Sequence, residues 1–219
     1  MIAAIDGSIA RRVFAHRGLW AESGEVPNSL EAFRAAFEHG LSVETDLRDS
    51  CGEVFISHDP ILDSSKTHKL NDFLALASNY PHCALALNIK SDGLEASVSS
   101  VSNVANDYFF FDMSIPEALK YKRLNLAVAS RTSELENLPS ELEKTIWLDA
   151  FFADPNKDII YDVLRASHSD ARVVLVSGEL HKRAYVGFWN QIIPIFISDQ
   201  RLAICTDFPL EFLSFVRSA

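Results

Sequence analysis

Short apolar runs recur along the whole chain, and most of them are bounded by polar or turn-forming residues. Nearly continuous apolarity over so few residues is typical of strands that are buried on both faces of a parallel sheet. The runs predicted to form strands are Val13–Ala15, Ser42–Leu47, Val54–Ser57, Ala84–Ile89, Tyr108–Phe111, Leu124–Ala129, Thr145–Leu148, Val173–Val176 and Leu202–Cys205.

Most of the segments between these runs have the residue spacing of helices. Asn28 and Glu31 have the form of a capping box with Asn28 as the N-cap, and the following helix is expected to end at Gly40. The segment Leu135–Leu142 is ambiguous because Pro139 interrupts it. Weaker patterns predict helices over Leu70–Ala77, Leu94–Val104, Pro116–Tyr121, Asn156–Ala166 and Leu210–Val216.

Alternation of strands with helices predicts βα units around a parallel sheet. The turn at Gly52 is too short for a crossover helix, so Val54–Ser57 is expected to form a hairpin with Ser42–Leu47. Eight βα units then remain, which is the number in a TIM barrel. We therefore expect an α/β fold: a TIM (β/α)8 barrel, a single domain over residues 1–219, with an extra hairpin strand after the second strand.

Composition and charge narrow the range of partners. Hydrophobic residues make up 48% of the chain, with only 8 Gly and 8 Pro, which is typical of a folded domain with a sizeable core. The formal net charge of −10 argues against a broad basic surface for nucleic acid or anionic lipid. We expect a small-molecule partner and no nucleic acid, and the sequence predicts no particular oligomeric state.

The sequence contains no segment that resembles a membrane or export signal. No apolar run approaches the roughly 18 residues of a membrane helix, and the first residues lack the basic start of a signal peptide. The cysteines Cys51, Cys83 and Cys205 are far apart and are expected to be free thiols. We therefore expect a cytoplasmic enzyme without stable membrane insertion.

Polar residues follow nearly every predicted strand, and in a barrel such residues converge on one rim. Glu44 and Asp46 are two positions apart on one strand, so their side chains share a face about 6–7 Å apart. Two carboxylates this close repel each other unless a cation such as Mg²⁺ or Ca²⁺, which prefers oxygen ligands, binds between them. The alternative is an exposed pair on a sheet face.

His16 and His58 lie at the ends of neighbouring strands and flank this carboxylate pair. The pKa of histidine lies close to neutral, which suits proton transfer, although a single histidine at a strand end is usually structural. Arg17 and Lys90 are candidate ligands for a phosphate group, with surface ion pairs as the alternative.

Several motifs occur together and in a fixed order along the chain. They are His16-Arg17-Gly18, Asn28-Ser29-Leu30-Glu31-Ala32-Phe33, Glu44-Thr45-Asp46 and His58-Asp59, followed by Asn88-Ile89-Lys90 and Cys205-Thr206-Asp207-Phe208-Pro209. In combination they resemble the glycerophosphodiester phosphodiesterase family, closely over the first 60 residues and more loosely after residue 90.

The resemblance implies a TIM barrel that hydrolyses a glycerophosphodiester to glycerol phosphate and an alcohol with the help of one divalent cation, Mg²⁺ or Ca²⁺. By motif position, it implies that His16 and His58 are the acid/base pair, that Glu44 and Asp46 are metal ligands, and that Arg17 and Lys90 contact the phosphate.

One departure from the family pattern affects the expected metal site. The family has Glu as its third metal ligand where this chain has Asn88, which keeps a carbonyl oxygen but lacks the charge. We therefore expect Asn88 to be a metal ligand in a weaker or more hydrated site, in a divergent subfamily with its own substrate. Candidate residues of that substrate's pocket, all at strand ends, are Asp112, Arg131, Asp149 and His181.

Two alternative functions stay open on the sequence. One is a phospholipase C-like or lyase-type phosphodiesterase that releases a cyclic phosphate. The other is a non-catalytic phosphate-binding barrel, which the loss of the acidic ligand at Asn88 favours and the retention of both histidines and both carboxylates disfavours.

Overall fold

Eight parallel strands form a nearly closed barrel in a computed structural model that describes residues 7–136 and 144–219. Around the barrel the strands follow the order β5-β4-β2-β1-β9-β8-β7-β6, and β3 pairs with β2 outside this order. The strands are β1 (Val13–His16), β2 (Ser42–Ser50), β3 (Glu53–Ile56), β4 (Leu85–Ile89), β5 (Tyr108–Phe111), β6 (Ser130–Thr132), β7 (Thr145–Leu148), β8 (Arg172–Val176) and β9 (Leu202–Thr206).

The barrel closes between β5 and the residues that precede β6. Phe110 forms a parallel bridge with Val128, its N–H donates to the carbonyl oxygen of Ala127 over 2.9 Å, and its own carbonyl accepts from Ala129 over 2.8 Å. Strand β3 runs antiparallel to β2 outside this ring. The expected TIM barrel with an extra hairpin strand is therefore confirmed.

The α-helices in the described ranges pack around the outside of the barrel. They are α1 (Gly7–Ala10), α2 (Trp20–Ser23), α3 (Leu30–Glu38), α4 (Leu70–Ala77), α5 (Ile115–Arg123), α6 (Lys157–Ala166), α7 (Val186–Ser198) and α8 (Pro209–Ser218). Short 3₁₀ turns cover Ser64–Lys66, Ser99–Asn103 and Gly178–His181. No helix in these ranges is long and apolar enough to cross a membrane.

Helix α3 begins one residue later than the sequence predicts. Its N-cap is Ser29, whose hydroxyl accepts a hydrogen bond from the N–H of Ala32 over 3.1 Å. Asn28 has a left-handed backbone with φ of 63° and turns its side chain elsewhere, so its assignment as the cap was wrong. Gly40 follows the end of the helix in a left-handed conformation, as predicted.

Two further predictions were wrong at the level of local structure. The predicted helix Leu94–Val104 is a set of turns with only a 3₁₀ segment, because its serines and valines are weak helix formers. The predicted strand Leu124–Ala129 starts in a turn at Asn125, whose φ is 57°, and the regular strand comes later as β6.

Helix α7 has no counterpart among the predicted elements. It is apolar on most sides and contains Pro194, so it has neither the period nor the composition of an isolated helix. Burial of side chains such as Trp189 and Phe196 stabilises it in the folded protein. Most of the ambiguous segment Leu135–Leu142 lies outside the described residues.

Apolar side chains fill the interior of the barrel below its rim. Phe111 and Trp147 stack with ring centroids 4.1 Å apart, while Phe14 and Cys205 come from β1 and β9. A second apolar layer lies between the strands and the helices. The polar residues at the carboxyl ends of the strands therefore lie directly above a close-packed apolar barrel interior.

Gly18 allows α3 to pack closely against the end of β1, which yields a stability prediction. A Cβ at Gly18 would lie 2.7 Å from the backbone carbon of Ala32, whereas a Cβ at Gly24 would meet open space, and both residues have φ near 80° (84° and 80°). Gly24→Ala should therefore lower the free energy of unfolding by about 1 kcal/mol through backbone strain alone. Gly18→Ala should lower it by about 3 kcal/mol, because the clash adds to that strain.

Urea unfolding of the two variants beside the parent protein measures this difference. Equal losses in both variants would show that α3 does not need the close approach at Gly18.

Candidate active site

Two carboxylates lie almost completely buried at the mouth of the barrel. Glu44 and Asp46 on β2 have exposed fractions of 2% and 1%. In the strand register Glu44 lies opposite His16 on β1, and Asp46 lies opposite Asn88 on β4. The structure therefore brings the ends of three neighbouring strands, β1, β2 and β4, close together.

Asp46 is surrounded by groups that stabilise its negative charge. Arg17 Nε lies 2.9 Å from Asp46 Oδ2, Lys90 Nζ lies 3.3 Å from Oδ1, and Asn28 Nδ2 donates to Oδ2 over 3.0 Å. Burial acts to raise the pKa of Asp46, but Lys90, Arg17 and Asn28 together outweigh it and hold that pKa below its ordinary value. Asp46 is therefore a fixed anion that holds both cations in place.

Glu44 is less well compensated than Asp46. The backbone N–H of Arg17 donates to its Oε2 over 3.3 Å, and His16 Nε2 lies 3.9 Å from the same oxygen. Burial and the negative charge of Asp46 raise the pKa of Glu44 to about 7. This carboxyl group is therefore poised to gain or lose a proton, or to accept a cation, near neutral pH.

Asp207 holds His16 by one of its two ring nitrogens. His16 Nδ1 lies 2.7 Å from Asp207 Oδ1, and the opposite nitrogen, Nε2, faces Glu44. Burial lowers the pKa of His16, but the hydrogen bond to Asp207 and the charge of Glu44 outweigh it, so that the pKa is raised. With the proton placed on Nδ1 by Asp207, Nε2 is the atom available for proton exchange.

His58 occupies a more exposed position than His16, with 47% of its side chain accessible. Its Nδ1 lies 2.8 Å from Asp59 Oδ1, and its carbonyl oxygen accepts a hydrogen bond from Arg48. An open cleft of about 340 Å³ is lined by His58 together with Arg17 and Asn28. Arg17 is therefore common to this cleft and to the buried carboxylates, because it lines the cleft and contacts Asp46.

The four candidate pocket residues form two pairs on the other half of the rim. Asp112 binds Arg131 and also lies 3.7 Å from Lys90 Nζ, so this pair is joined to the buried carboxylates. Asp149 Oδ1 lies 2.7 Å from His181 Nε2 two strands further along the rim. Within residues 7–136 and 144–219, no side-chain hydrogen bond or ion pair joins one of these pairs to the other.

The residues at the rim offer oxygen atoms to a hard cation. The described part of the chain contains no cluster of three or more His, Cys, Asp or Glu side chains that could hold a metal ion. The amide oxygen of Asn88, however, is buried without a hydrogen-bond partner next to Asp46 in register. Carboxylate and amide oxygens from Glu44, Asp46 and Asn88 therefore fit the ligand preference of Mg²⁺ or Ca²⁺.

The site depends on two residues, Asn28 and Asp207, that the sequence did not predict as site residues, since Asn28 was predicted to be a helix cap and Asp207 only belonged to a motif. Asn28 accepts a hydrogen bond from the Thr45 hydroxyl over 2.8 Å while its amide donates to Asp46, so it cross-links the loop after β1 to β2. Asp207 directly follows β9, the strand that lies beside β1 in the barrel. Its position at a strand end marked it as a rim residue, but the strand order that places it beside His16 is a tertiary property.

Solved structures of glycerophosphodiester phosphodiesterases have a similar fold. The enzyme from Parabacteroides distasonis matches with a TM-score of 0.67 and 15% identity over 94% of this chain and 96% of that chain. The Agrobacterium tumefaciens enzyme matches at 0.62 and 14% (94% and 99% covered), and the Thermotoga maritima enzyme at 0.61 and 19% (93% and 97% covered). No protein-family model and no curated protein sequence matches the chain. The likeness is one of fold.

The buried Glu44 carboxyl group predicts a specific dependence of stability on pH. Its folded-state pKa of about 7 lies above the ordinary value of 4.5, so the wild-type protein loses stability as the pH rises from 4.5 through 7. In protein treated with chelator, Glu44→Gln should therefore be more stable than wild type at pH 8, by about 2 kcal/mol. At pH 4 the two should have equal stability.

Urea unfolding at the two pH values tests this prediction, with Glu53→Gln as the control because Glu53 is an exposed carboxylate paired with Lys69. A difference between Glu44→Gln and wild type that does not change with pH would contradict it.

Proposed function

We propose that this chain hydrolyses a glycerophosphodiester to glycerol phosphate and an alcohol. The observation that carries the proposal is the His16–Asp207 pair beside two cations, Arg17 and Lys90, at the mouth of the barrel. This arrangement combines a proton-transfer group with positive charge for a phosphoryl group. The structures with a similar fold that are named as glycerophosphodiester phosphodiesterases support it.

Arg17 and Lys90 bind the phosphoryl oxygens in this proposal. Asp46 contacts both side chains, through Arg17 Nε and Lys90 Nζ, and so holds the two cations close to each other. The guanidinium group offers a planar fork of donors, and the ammonium group acts as a concentrated charge. Asp112 holds Lys90 from the other side and limits its movement.

Glu44, Asp46 and Asn88 would hold one divalent cation, Mg²⁺ or Ca²⁺, in the proposed enzyme. When bound, the cation withdraws charge from the phosphoryl oxygens and lowers the repulsion between the two carboxylates. Since Asn88 supplies no charge, this site binds its cation more weakly than three carboxylates would.

His16 and His58 transfer the protons in the proposed reaction. One of them takes the proton of the substrate's glycerol hydroxyl group as its oxygen attacks phosphorus, and the other protonates the leaving alcohol. Water then opens the resulting cyclic phosphate with the two roles reversed, and glycerol phosphate is released. Each imidazole already has an aspartate on Nδ1, Asp207 or Asp59, which leaves Nε2 to exchange the proton.

The product of the reaction separates this proposal from its alternatives. A panel of glycerophosphodiesters, incubated with and without chelator and followed by ³¹P NMR, should yield glycerol phosphate. A cyclic phosphate as the final product would instead support a lyase-type phosphodiesterase. Binding of phosphodiesters without turnover would support a non-catalytic phosphate-binding barrel.

Removal of either histidine should abolish most of the activity while the fold survives. His16→Ala and His58→Ala should each lower kcat by about 10²- to 10⁴-fold, because each removes one proton-transfer group. His168→Ala is the matched control, since His168 forms a similar pair with Asp170 on the exposed surface away from the barrel mouth. Near wild-type turnover in both His16→Ala and His58→Ala would contradict the assignment.

Restoring a charge at position 88 should strengthen binding of the cation. Asn88→Asp adds a carboxylate beside Asp46 without adding an atom to the side chain, and should tighten Mg²⁺ or Ca²⁺ binding at least tenfold, or about 1.4 kcal/mol. Isothermal titration calorimetry on metal-free protein measures this change. Asn71→Asp is the control, because it adds the same charge at an exposed position on α4. Equal affinity in Asn88→Asp and wild type would argue against a cation at this position.

A further inference from the structure

We propose that Glu179 is a positioning residue that fixes Asp207 and, through Asp207, the orientation and proton placement of His16. The functional consequence rests on the proposed role of His16 in phosphodiester hydrolysis. The structural part, which concerns only how His16 is held, can be tested without activity.

Glu179 lies in the turn Gly178–His181, which follows β8 at the rim. Its carboxylate accepts a hydrogen bond from the hydroxyl of Ser177 over 2.5 Å and another from the backbone N–H of Asp207 over 3.1 Å. The hydroxyl of Thr206 donates a further, short hydrogen bond to it. The Glu179 side chain, which follows β8, therefore binds the last residue of β9 and the residue directly after it.

The buried core fixes the direction of the Glu179 carboxylate. The Ser177 hydroxyl accepts a hydrogen bond from Trp189 Nε1 over 2.8 Å, so its own proton points to Glu179. Both Ser177 and Trp189 are completely buried, and the Trp189 ring packs edge-on against Phe212. The chain of contacts thus starts in the close-packed core and ends at the rim. Because close-packed side chains resist even small displacements, the core end of this chain is fixed.

The backbone around Asp207 is held on both sides. Thr206 donates to Glu179 and accepts from the N–H of Phe208 over 3.0 Å, while the N–H of Asp207 itself is bound to Glu179. Asp207 therefore presents its carboxylate to His16 Nδ1 from a backbone with little freedom. Proton-transfer groups must be held to within about 0.5 Å of their working geometry. This requirement is the reason to expect a residue such as Glu179 that fixes the partner of His16.

A carboxylate suits this position because three donors converge on it. A hydrogen bond to an ionised acceptor is shorter and roughly twice as strong as one between neutral groups. Alanine at position 179 would leave the Thr206 hydroxyl and the Asp207 N–H without their partner at a partly buried site. The peptide at Asp207 would then be free to rotate, and His16 would lose its fixed hydrogen-bond partner.

The test compares Glu179→Ala, Glu179→Asp and Glu179→Gln in the full chain. Alanine removes the acceptor, and aspartate keeps the charge but is one methylene shorter. Glutamine keeps an oxygen for Thr206 and Asp207. Ser177 can turn its own proton away and accept a hydrogen bond from the new N–H₂ group, so the hold on Asp207 should survive in this variant. Glu179→Asp carries the test if Glu179→Ala does not fold.

Glu22→Ala is the matched control variant. The Glu22 carboxylate also accepts two backbone N–H groups, those of Leu210 and Glu211, directly after the same strand end. Its removal should lower stability without touching Asp207. An effect that is shared by Glu22→Ala reports only on stability, whereas an effect on His16 that is confined to position 179 reports positioning.

The first readout is the long-range ¹H–¹⁵N NMR spectrum of ¹⁵N-histidine protein, with His16 assigned by its loss in His16→Gln. Wild type, Glu179→Gln and Glu22→Ala should show His16 with a hydrogen-bonded proton on Nδ1. Glu179→Ala and Glu179→Asp should show averaging between the two ring nitrogens. An unchanged His16 spectrum in Glu179→Ala and Glu179→Asp would overturn the proposal.

The second readout is the division of the kinetic effect between kcat and KM for a glycerophosphodiester. Glu179→Ala and Glu179→Asp should lower kcat by about 10- to 100-fold with KM within about twofold of wild type, since the phosphate ligands are untouched. An equal loss of kcat in Glu22→Ala would overturn a specific role. Absence of turnover in wild type would defeat the proposed function, while the NMR result would still decide how His16 is held.

Discussion

The burial of Glu44 and Asp46 at the barrel mouth is the constraint around which the other polar residues are arranged. Removing a carboxylate from water costs several kcal/mol unless cations and hydrogen bonds replace the lost hydration. Asp46 has that replacement in Arg17, Lys90 and Asn28, and its pKa is lowered. Glu44 lacks it, and its pKa is raised to about 7. A buried carboxyl group that lacks such compensation, as Glu44 does, is typical of sites that have been selected for function at the expense of stability.

A connected set of polar contacts extends from these carboxylates around the rim. Glu44 faces His16, His16 binds Asp207, and Glu179 links the end of β9 to the core at Trp189. In the other direction Asp46 binds Lys90, which reaches Asp112. All of these groups stand on the apolar barrel interior, which excludes water from beneath and strengthens each electrostatic contact.

The two halves of the rim differ in chemistry. The half formed by β1, β2 and β4 gathers the cations and carboxylates suited to a phosphoryl group, and Asn88 there replaces an expected third acid. The half formed by β6, β7 and β8 carries Arg131, which is paired with Asp112, and the Asp149–His181 pair. In the proposed reaction, the first half would carry the chemistry and the second half would contact the alcohol part of the substrate.

The sequence by itself determined the properties that depend on neighbours along the chain. Strand periodicity placed Glu44 and Asp46 on one face, and alternating elements with one short turn predicted eight barrel strands and a hairpin. Only the tertiary structure decided which strand ends meet: Asp207 lies beside His16, and Asn28 binds Asp46 instead of capping α3. Helix α7 was missed for the same reason, because burial of its side chains stabilises it. The turns after Leu94 were missed for a local reason, the weak helix propensity of serine and valine. Which strands are neighbours, and which side chains they bring together, are long-range properties that local residue spacing does not specify.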